Sequence, residues 1–266
     1  LCPTSSDALG AQLRSRLAEA GVTNLCGRAV DRPTALAVVS TDAYGHPSYA
    51  FHRERTADRT LDAVALREAL PESLEVLHFG SMVLAQGEDW PAWRAVVEQA
   101  RNQGATVSFD PNIRLSLVDD LDALRVRLKE ALELSDLVKV SDQDLELLHP
   151  DCVPESIVTD WRQRHGLRLV ILTRGSQGAD AWTDEDSIHC DAPALPRPVV
   201  DTVGAGDTFQ GAFVTWLARR GHLRSALGPE TLAGMLEFAT VAASLNCMQV
   251  GCQPPTLEEV NGVVKR

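Results

Sequence analysis

The stretch VDTVGAGDTFQGAF, Val200–Phe213, places a glycine-rich turn directly before an aspartate and an amphipathic segment. Phe209, Phe213 and Leu217 recur at the spacing of one helix face, which predicts a helix over residues 207–220. Glycines permit backbone conformations that other residues rarely adopt. The stretch therefore predicts a tight turn that leads directly into a helix.

The beginning of this helix is a candidate anion site. The amides of Ala205, Gly206 and Asp207 would lack intrahelical acceptors there, and the positive end of the helix dipole attracts negative charge. A phosphoryl group fits such a cup, and Asp207 beside it can accept the proton of an attacking hydroxyl. The residues alone leave an alternative, in which Asp207 only opens the helix and the glycines only make a turn. A P-loop NTPase or a Rossmann dehydrogenase is not supported, because neither GK[ST] nor GxGxxG is found.

The segment 75–173 alternates apolar runs with longer amphipathic segments. Runs of this length, separated by helical patterns, are typical of a mostly parallel sheet covered on both faces, and ligands bind at the carboxyl ends of its strands. The predicted strands are EVLHFG, TVSFDP, LVKVS and LVILT, with helices at 90–102, 121–134 and 154–165. Polar clusters at three strand ends, FDPNIR, KVSDQD and LTRGSQGA, are candidates for the chemistry.

Residues 32–53 show a different pattern. Two β-prone runs flank the turn-rich DAYGHP, which predicts a hairpin in which Tyr49 and Phe51 share a face. Exposed aromatic side chains on such a hairpin would suit homodimerisation.

The composition limits the class of protein. The chain has 266 residues, 44% of them apolar, enough to bury a sizeable core. Its formal charge of −12 disfavours a nucleic-acid partner and favours small molecules. We find no signal peptide and no apolar run of membrane length, so no membrane partner is expected. The cysteines show no CxxC or metal-ligand spacing, which favours a reduced, cytoplasmic chain; they are Cys2, Cys26, Cys152, Cys190, Cys247 and Cys252.

The motif DTVGAGDTFQGAF closely resembles the C-terminal signature of the ribokinase-like (PfkB) carbohydrate kinases. FDPNIR, KVSDQD, TRGSQG and AASLNCMQVGC accompany it in family order, so the resemblance covers about residues 7–263. HRERTADRTL and LHFGSMVLA look most like the fructokinase branch. The resemblance implies one α/β domain over residues 1–266, a three-layer α/β/α sandwich with a mostly parallel central sheet and a small β-sheet lid formed partly by the 32–53 hairpin.

The resemblance also implies a reaction, the transfer of a phosphoryl group from ATP to the primary hydroxyl of a sugar, with D-fructose as the expected substrate. Asp207 matches the catalytic base of the family. Gly204, Ala205 and Gly206 match the anion hole that neutralises charge on the migrating phosphoryl group.

Matching positions imply an ATP site. Thr173, Gly175 and Gly178 match the nucleotide-binding loop, although a plain β-turn is the alternative. Thr240 and Ala243 match positions that line the adenine pocket, and Thr240 stands where an asparagine is common.

Two ion sites are implied. Ser141 and Asp144 stand where many relatives have an Asn-x-x-Glu motif that organises Mg²⁺ and phosphate. Because Asp144 is one methylene shorter than Glu, we expect it to contact Mg²⁺ through water. Asp201 and the Val203 carbonyl match a monovalent-cation loop, which would hold K⁺.

The sequence leaves open which substrate is bound and which residues bind it. Arg53 and Arg114 match positive groups near the sugar and the phosphates, with surface salt bridges as the alternative. A 2-keto-3-deoxygluconate kinase would use the same Asp207 and needs cations for the substrate carboxylate. A third alternative is a non-catalytic sensor that binds a sugar or a nucleotide. The intact GAGD motif disfavours this alternative. The absence of the family's N-terminal strand and GGxxxN segment favours it, although we expect that the chain is incomplete at its N-terminus.

Overall fold

The computed structural model describes residues 1–27, 29–41, 47–60, 62–80, 82–118, 120–194 and 197–264, without the side chains of residues 40, 41 and 47–49. The chain divides into two compact units. The first comprises Leu1–Leu74, Ser81–Ala105 and Arg114–Leu128. The second comprises Glu75–Gly80, Thr106–Ile113 and Lys129–Arg266.

The first unit is a small sheet with helices. Its strands β1 and β2 pair antiparallel, with Leu36 opposite His52, which confirms the predicted hairpin. The turn residues 42–46 and the Tyr49 side chain lie outside the described residues, so the face shared by Tyr49 and Phe51 stays a prediction. The elements are α1 Ala8–Glu19, β1 Leu36–Thr41, β2 Pro47–His52, α2 Ala63–Glu68, α3 Met82–Ala85 and α4 Trp90–Asn102, with short 3-10 turns at Ala57–Arg59 and Leu115–Leu117. Helix α5, Leu121–Glu133, has residues in both units.

Helix α1 begins at a side-chain cap. Asp7 Oδ1 accepts a hydrogen bond from the Gly10 amide at 2.7 Å. The same carboxylate accepts bonds from the amide and hydroxyl of Thr34, at 2.9 and 2.7 Å. These donors hold the pKa of Asp7 well below its usual range, with the Gly10 amide as the largest cause. The cap therefore fixes both the start of α1 and the approach to β1.

The second unit is built on a mixed sheet of six strands. The strands are β3 Val76–Gly80, β4 Thr106–Asp110, β5 Leu137–Ser141, β6 Leu169–Thr173, β7 Ala179–Trp182 and β8 Ser187–Cys190. They lie side by side in chain order. The first four are parallel, as predicted, whereas β7 pairs antiparallel with β6 and β8 antiparallel with β7. The helices of this unit are α6 Asp142–Leu148, α7 Pro154–His165, α8 Ala205–Arg219, α9 Pro229–Asn246 and α10 Leu257–Val264.

Both faces of this sheet are buried at its central strands β4, β5 and β6, which explains the apolar runs of β5 and β6. Leu137, Leu169 and Ile171 share one hydrophobic cluster with Phe209 and Phe213 of α8, all at most 3% exposed. The alternate residues of β5 and β6 are buried as well: Val138, Val140, Val170 and Leu172. Burying each such side chain stabilises the fold by roughly 1.5–3 kcal/mol. The sheet and α8 therefore form one packed core.

Helix α8 begins at Ala205, earlier than the predicted start at Asp207. Gly204 has φ 75°, a left-handed conformation that turns the chain so that Ala205 and Gly206 enter the helix. Among the described residues, no helix combines the length and apolar character needed to cross a membrane.

Candidate active site

Polar side chains of the second unit gather at the carboxyl edge of its parallel strands. Gly80 at the end of β3 pairs with Asp110 at the end of β4, and Ser141 of β5 pairs with Thr173 of β6. Ligands of such sheets bind at this edge. The registers thus bring together residues that the sequence predicted at separate strand ends.

The first turn of α8 presents an anion cradle, which we define as the amides of Gly206 and Asp207. No acceptor for these two amides occurs among the described residues. The Ala205 amide, in contrast, donates to the Thr202 carbonyl at 3.2 Å, so the prediction of an open donor at Ala205 was wrong. It was wrong because the left-handed Gly204 folds the chain back toward Thr202. Two unpaired amides at a helix N-terminus suit a phosphate oxygen.

Gly204 is required for more than its backbone conformation. A Cβ atom built at Gly204 would overlap the side chain of Cys252. The Gly204 carbonyl accepts the Thr208 amide at 2.8 Å, as the first acceptor of the helix. Any larger residue would therefore displace either Cys252 or the first turn.

Side-chain hydrogen bonds tie α8 to two strands. Gln210 Nε2 donates to Ser108 Oγ of β4 at 2.7 Å and to His78 Nδ1 of β3 at 3.2 Å. Gln210 is 4% exposed. These buried bonds fix the helix, and with it the cradle, against the sheet.

Asp207 lies in the first turn of α8 with its side chain exposed. Together with Cys252, Gly211 and Thr215 it lines a cleft of about 350 Å³. A carboxylate that is open to a cleft and adjacent to unpaired amides can accept a hydrogen bond from a substrate hydroxyl while the amides hold an anion.

A buried ion pair lies at the same edge. Lys139 Nζ of β5 donates to Asp110 Oδ2 at 2.8 Å, and the side chains are 5% and 3% exposed. Burial raises the pKa of Asp110, Lys139 lowers it, and the carboxylates of Asp144 and Asp207 raise it further. The sequence analysis included both residues in its polar clusters, Asp110 in FDPNIR and Lys139 in KVSDQD, but assigned a role to neither. A signal for Lys139 was present, because it stands within the apolar run of Leu137, Val138 and Val140.

Ser141 and Asp144 form a capping box at the start of α6. The Asp144 amide donates to Ser141 Oγ at 3.0 Å, and Asp144 Oδ2 accepts the Ser141 amide at 3.2 Å and hydroxyl at 2.6 Å. Asp144 Oδ1 accepts the Ile113 amide at 2.7 Å, which ties the FDPNIR loop to α6. Because both oxygens of the Asp144 carboxylate already accept hydrogen bonds, direct Mg²⁺ ligation by Asp144 is disfavoured, and its water-mediated contact stays a prediction. Within the described ranges, no group of three or more His, Cys, Asp or Glu side chains is arranged to hold a metal.

The predicted nucleotide loop connects β6 and β7. Thr173 ends β6, and a 3-10 turn over Gly175–Gln177 follows. Gly178 has φ 91°, and a Cβ atom there would overlap the Cys190 carbonyl, so only glycine fits. The loop is a tight turn that glycines make possible, and its contact with ATP stays a prediction.

Helix α9 carries the two predicted adenine positions. Thr240 is 5% exposed, and its hydroxyl donates to the Leu236 carbonyl at 2.8 Å. Ala243 is partly buried and packs against the same core. A hydroxyl already bonded to its own helix cannot replace an asparagine amide as a free donor. The hydroxyl oxygen can still accept a hydrogen bond, and the adenine contact of Thr240 stays a prediction.

The predicted cation loop is held by backbone amides. Asp201 accepts the amides of Val203 at 3.0 Å and Gly251 at 2.8 Å, and these bonds lower its pKa. The Val203 carbonyl accepts Asn246 Nδ2 at 2.9 Å. The loop is thus fixed immediately before Gly204, while K⁺ binding stays a prediction.

The two predicted substrate arginines lie in the first unit. Arg53 is 7% exposed; its Nε donates to Asp58 at 2.6 Å and its Nη1 pairs with Asp89 at 3.4 Å. Arg53 thus forms salt bridges, as in the alternative considered for it, but its guanidinium group is buried and does not lie at the surface. Arg114 is half-buried and precedes the 3-10 turn Leu115–Leu117. The substrate contacts of both arginines stay predictions.

Comparison with known proteins identifies the family. The profile of the pfkB family carbohydrate kinases matches residues 1–259. A fructokinase of Rhizobium leguminosarum bv. trifolii is 33% identical over 70% of this chain, which spans 55% of that protein. Fructokinase-2 of Solanum habrochaites is 31% identical over 87% of this chain and 70% of its own length. The crystal structure of a fructokinase from Xylella fastidiosa with bound ATP superposes with a TM-score of 0.87 at 25% identity, covering 100% of this chain and 84% of that one.

The sheet, its covering helices and the small two-stranded sheet define a ribokinase-like α/β protein, as predicted. The chain belongs to the pfkB family of carbohydrate kinases, and its relatives include fructokinases.

Proposed function

We propose that this protein is an ATP-dependent sugar kinase that converts D-fructose to fructose 6-phosphate. The observation that carries the proposal is the exposed Asp207 beside the two unpaired amides of the anion cradle. The fructokinases among its relatives support fructose as the substrate.

Asp207 and the anion cradle have different roles in the proposed reaction. Asp207 accepts the proton of the primary hydroxyl as the hydroxyl oxygen bonds to the γ-phosphorus of ATP, while the bond from that phosphorus to the β,γ-bridging oxygen breaks and ADP leaves. The amides of Gly206 and Asp207 donate to the phosphoryl oxygens on which charge develops. Mg²⁺ bound with ATP would supply positive charge to the phosphate oxygens, and Asp144 would hold it through water. The predicted phosphate contact of Arg114 would add positive charge to the same group.

The state of Arg53 supports a neutral sugar over 2-keto-3-deoxygluconate. An acid substrate needs an available cation for its carboxylate, and the Arg53 guanidinium is already bonded to Asp58 and Asp89 in a buried network. Breaking buried pairs to hold a substrate carboxylate is costly.

Assembly is a separate proposal. Leu36, Val38 and Val39 of β1 are 45%, 50% and 47% exposed. Their exposure supports a homodimer formed through the two-stranded sheet.

ATP consumption with fructose, ribose, 2-keto-3-deoxygluconate and adenosine tests the function. We expect turnover with fructose, and we expect Asp207→Asn to lower kcat by about 10²- to 10⁴-fold while ATP affinity stays unchanged. Asp122→Asn is the matched control, since Asp122 is also an acidic residue in the first turn of a helix, α5, and is 90% exposed. Full turnover by Asp207→Asn would refute the role of this carboxylate. ATP binding without turnover on any sugar would favour the sensor.

A further inference from the structure

Lys139 occupies a position where a charge is costly. It stands in the middle of β5 between Val138 and Val140, both 0% exposed, and is itself 4% exposed. Burying an ammonium group costs several kcal/mol unless a partner compensates. Asp110 supplies one partner atom, Oδ2, at 2.8 Å. A pair of this kind can be purely structural, and apolar residues would then serve at least as well.

The ammonium group lies against the anion cradle. A Cβ atom built at Gly206 would be 3.2 Å from Lys139 Nζ. A side chain at this position would therefore crowd the ammonium group, and glycine leaves that space free. Helix N-termini carry positive partial charge and normally favour acidic side chains. A lysine at this place is unfavourable for the empty helix and favourable once an anion occupies the cradle.

The pair also has unused hydrogen-bonding capacity. An ammonium group has three donors, and Asp110 Oδ2 is the one acceptor for Lys139 found within the described residues. Asp110 Oδ1 is buried and has no partner in the same part of the chain. Buried polar groups are usually fully paired, and exceptions in a native structure call for an explanation. An electrostatic role toward a bound anion explains the unused donors of Lys139.

We infer that Lys139 is a positioning residue of the anion cradle. Asp110 holds its ammonium group against Gly206, and the added positive potential strengthens the binding of a phosphoryl group by the Gly206 and Asp207 amides. The transferred group of ATP is the anion concerned, and in this respect the inference rests on the proposed kinase function.

Calorimetric binding of ATP and of adenosine to Lys139→Met separates phosphate binding from base binding. We expect ATP affinity to fall about tenfold to a hundredfold, as for loss of a charged hydrogen-bonding partner, and adenosine affinity to stay within twofold. Lys129→Met is the matched control, because Lys129 is 69% exposed on α5 and pairs with Glu133. The control should bind both ligands as the unaltered protein does.

The double variant Lys139→Met with Asp110→Asn keeps the net charge of the site and avoids an unpaired buried carboxylate. We expect it to regain thermal stability lost in Lys139→Met, because replacing both members of a buried pair is often neutral. Its ratio of ATP to adenosine affinity should remain at least fivefold below that of the unaltered protein. A ratio restored to the unaltered value would overturn the inference and leave the pair as structural.

The two proposals fail in different ways. Absence of turnover on every sugar by the unaltered protein would remove the kinase function, while the affinity ratio would still test Lys139. Normal turnover on fructose together with an unaltered ratio in both Lys139 variants would remove only the role of Lys139.

Discussion

Helices α1 and α8 begin in opposite ways. The N-terminus of α1 is closed, because Asp7 accepts the Gly10 amide and is itself held by Thr34. The N-terminus of α8 has Gly204 at the cap, no capping side chain, and two amides without acceptors in the described part of the chain. A side-chain cap typically stabilises a helix by about 1 kcal/mol. Helix α8 forgoes that stabilisation, and in return its amides remain available to a ligand.

Helix α6 shows that the closed form is also used within the second unit. Its capping box of Ser141 and Asp144 satisfies the amides at its start. Both α6 and α8 begin in the same unit, yet only α8 combines open amides with an exposed carboxylate. The comparison shows that the residue at the cap decides whether the first amides of a helix are already bonded, as in α6, or remain open, as in α8.

The largest effect is expected from altering the open terminus. Gly204→Ala places a Cβ atom in the space of the Cys252 side chain at a residue with φ 75°. The first turn must then move, and a displacement of about 1 Å at reacting groups can lower turnover about a hundredfold. Steady-state kinetics with ATP and fructose measure the loss.

Gly221→Ala is the control for this substitution. Gly221 follows α8 and has φ 74°, but nothing lies within 4 Å of a Cβ atom built there. Left-handed strain alone should cost about 1–2 kcal/mol in the free energy of unfolding and leave kcat unchanged. Equal kcat for the two variants would show that the Cys252 contact does not position the cradle.

A smaller effect is expected at the closed terminus of α6. Ser141→Ala removes the acceptor of the Asp144 amide and should lower the free energy of unfolding by about 1 kcal/mol, which is a few degrees in Tm for a chain of this size. Ser156→Ala, which removes an exposed hydroxyl near the start of α7, should change Tm less. Thermal unfolding checks both, and a larger loss for Ser156→Ala would argue against the capping box.

The smallest effect concerns the cap of α1 and depends on pH. The pKa of Asp7 is lower in the folded protein than its ordinary value of 3.8, so its contribution to stability is complete above that value and is lost as the pH falls below it. The Tm difference between the unaltered protein and Asp7→Ala should therefore be constant near neutral pH and shrink below about pH 4. A difference that stays undiminished as the pH falls from about 4 to about 2 would contradict the cap.

The sequence predicted the parallel strands well because their burial on both faces makes each one an apolar run, as in LVILT. It missed the antiparallel strand β7 and the antiparallel edge strand β8, since ADAW and SIHC are short and only partly buried. No run of apolar residues marks such strands.

The candidate site likewise has features that the sequence predicted and features that it did not. The GAGD motif predicted the cradle, because glycine and aspartate at a helix start are local features. The bond from Ala205 to Thr202 was not predictable from composition, since it depends on how Gly204 turns. Lys139 was visible as a charge in a buried strand, but its contact with Gly206 depends on the docking of a helix much later in the chain.

The order of the strands has a consequence for how the molecule is made. In the sheet of the second unit each strand pairs with the next one along the chain, so the sheet can assemble stepwise from its first strand as synthesis proceeds. Helix α8 begins only after β8. A nascent chain that has emerged as far as β8 can thus hold the Lys139 strand in place and yet has no cradle. We therefore expect the proposed binding of a phosphate at this edge to be acquired only after α8 has docked.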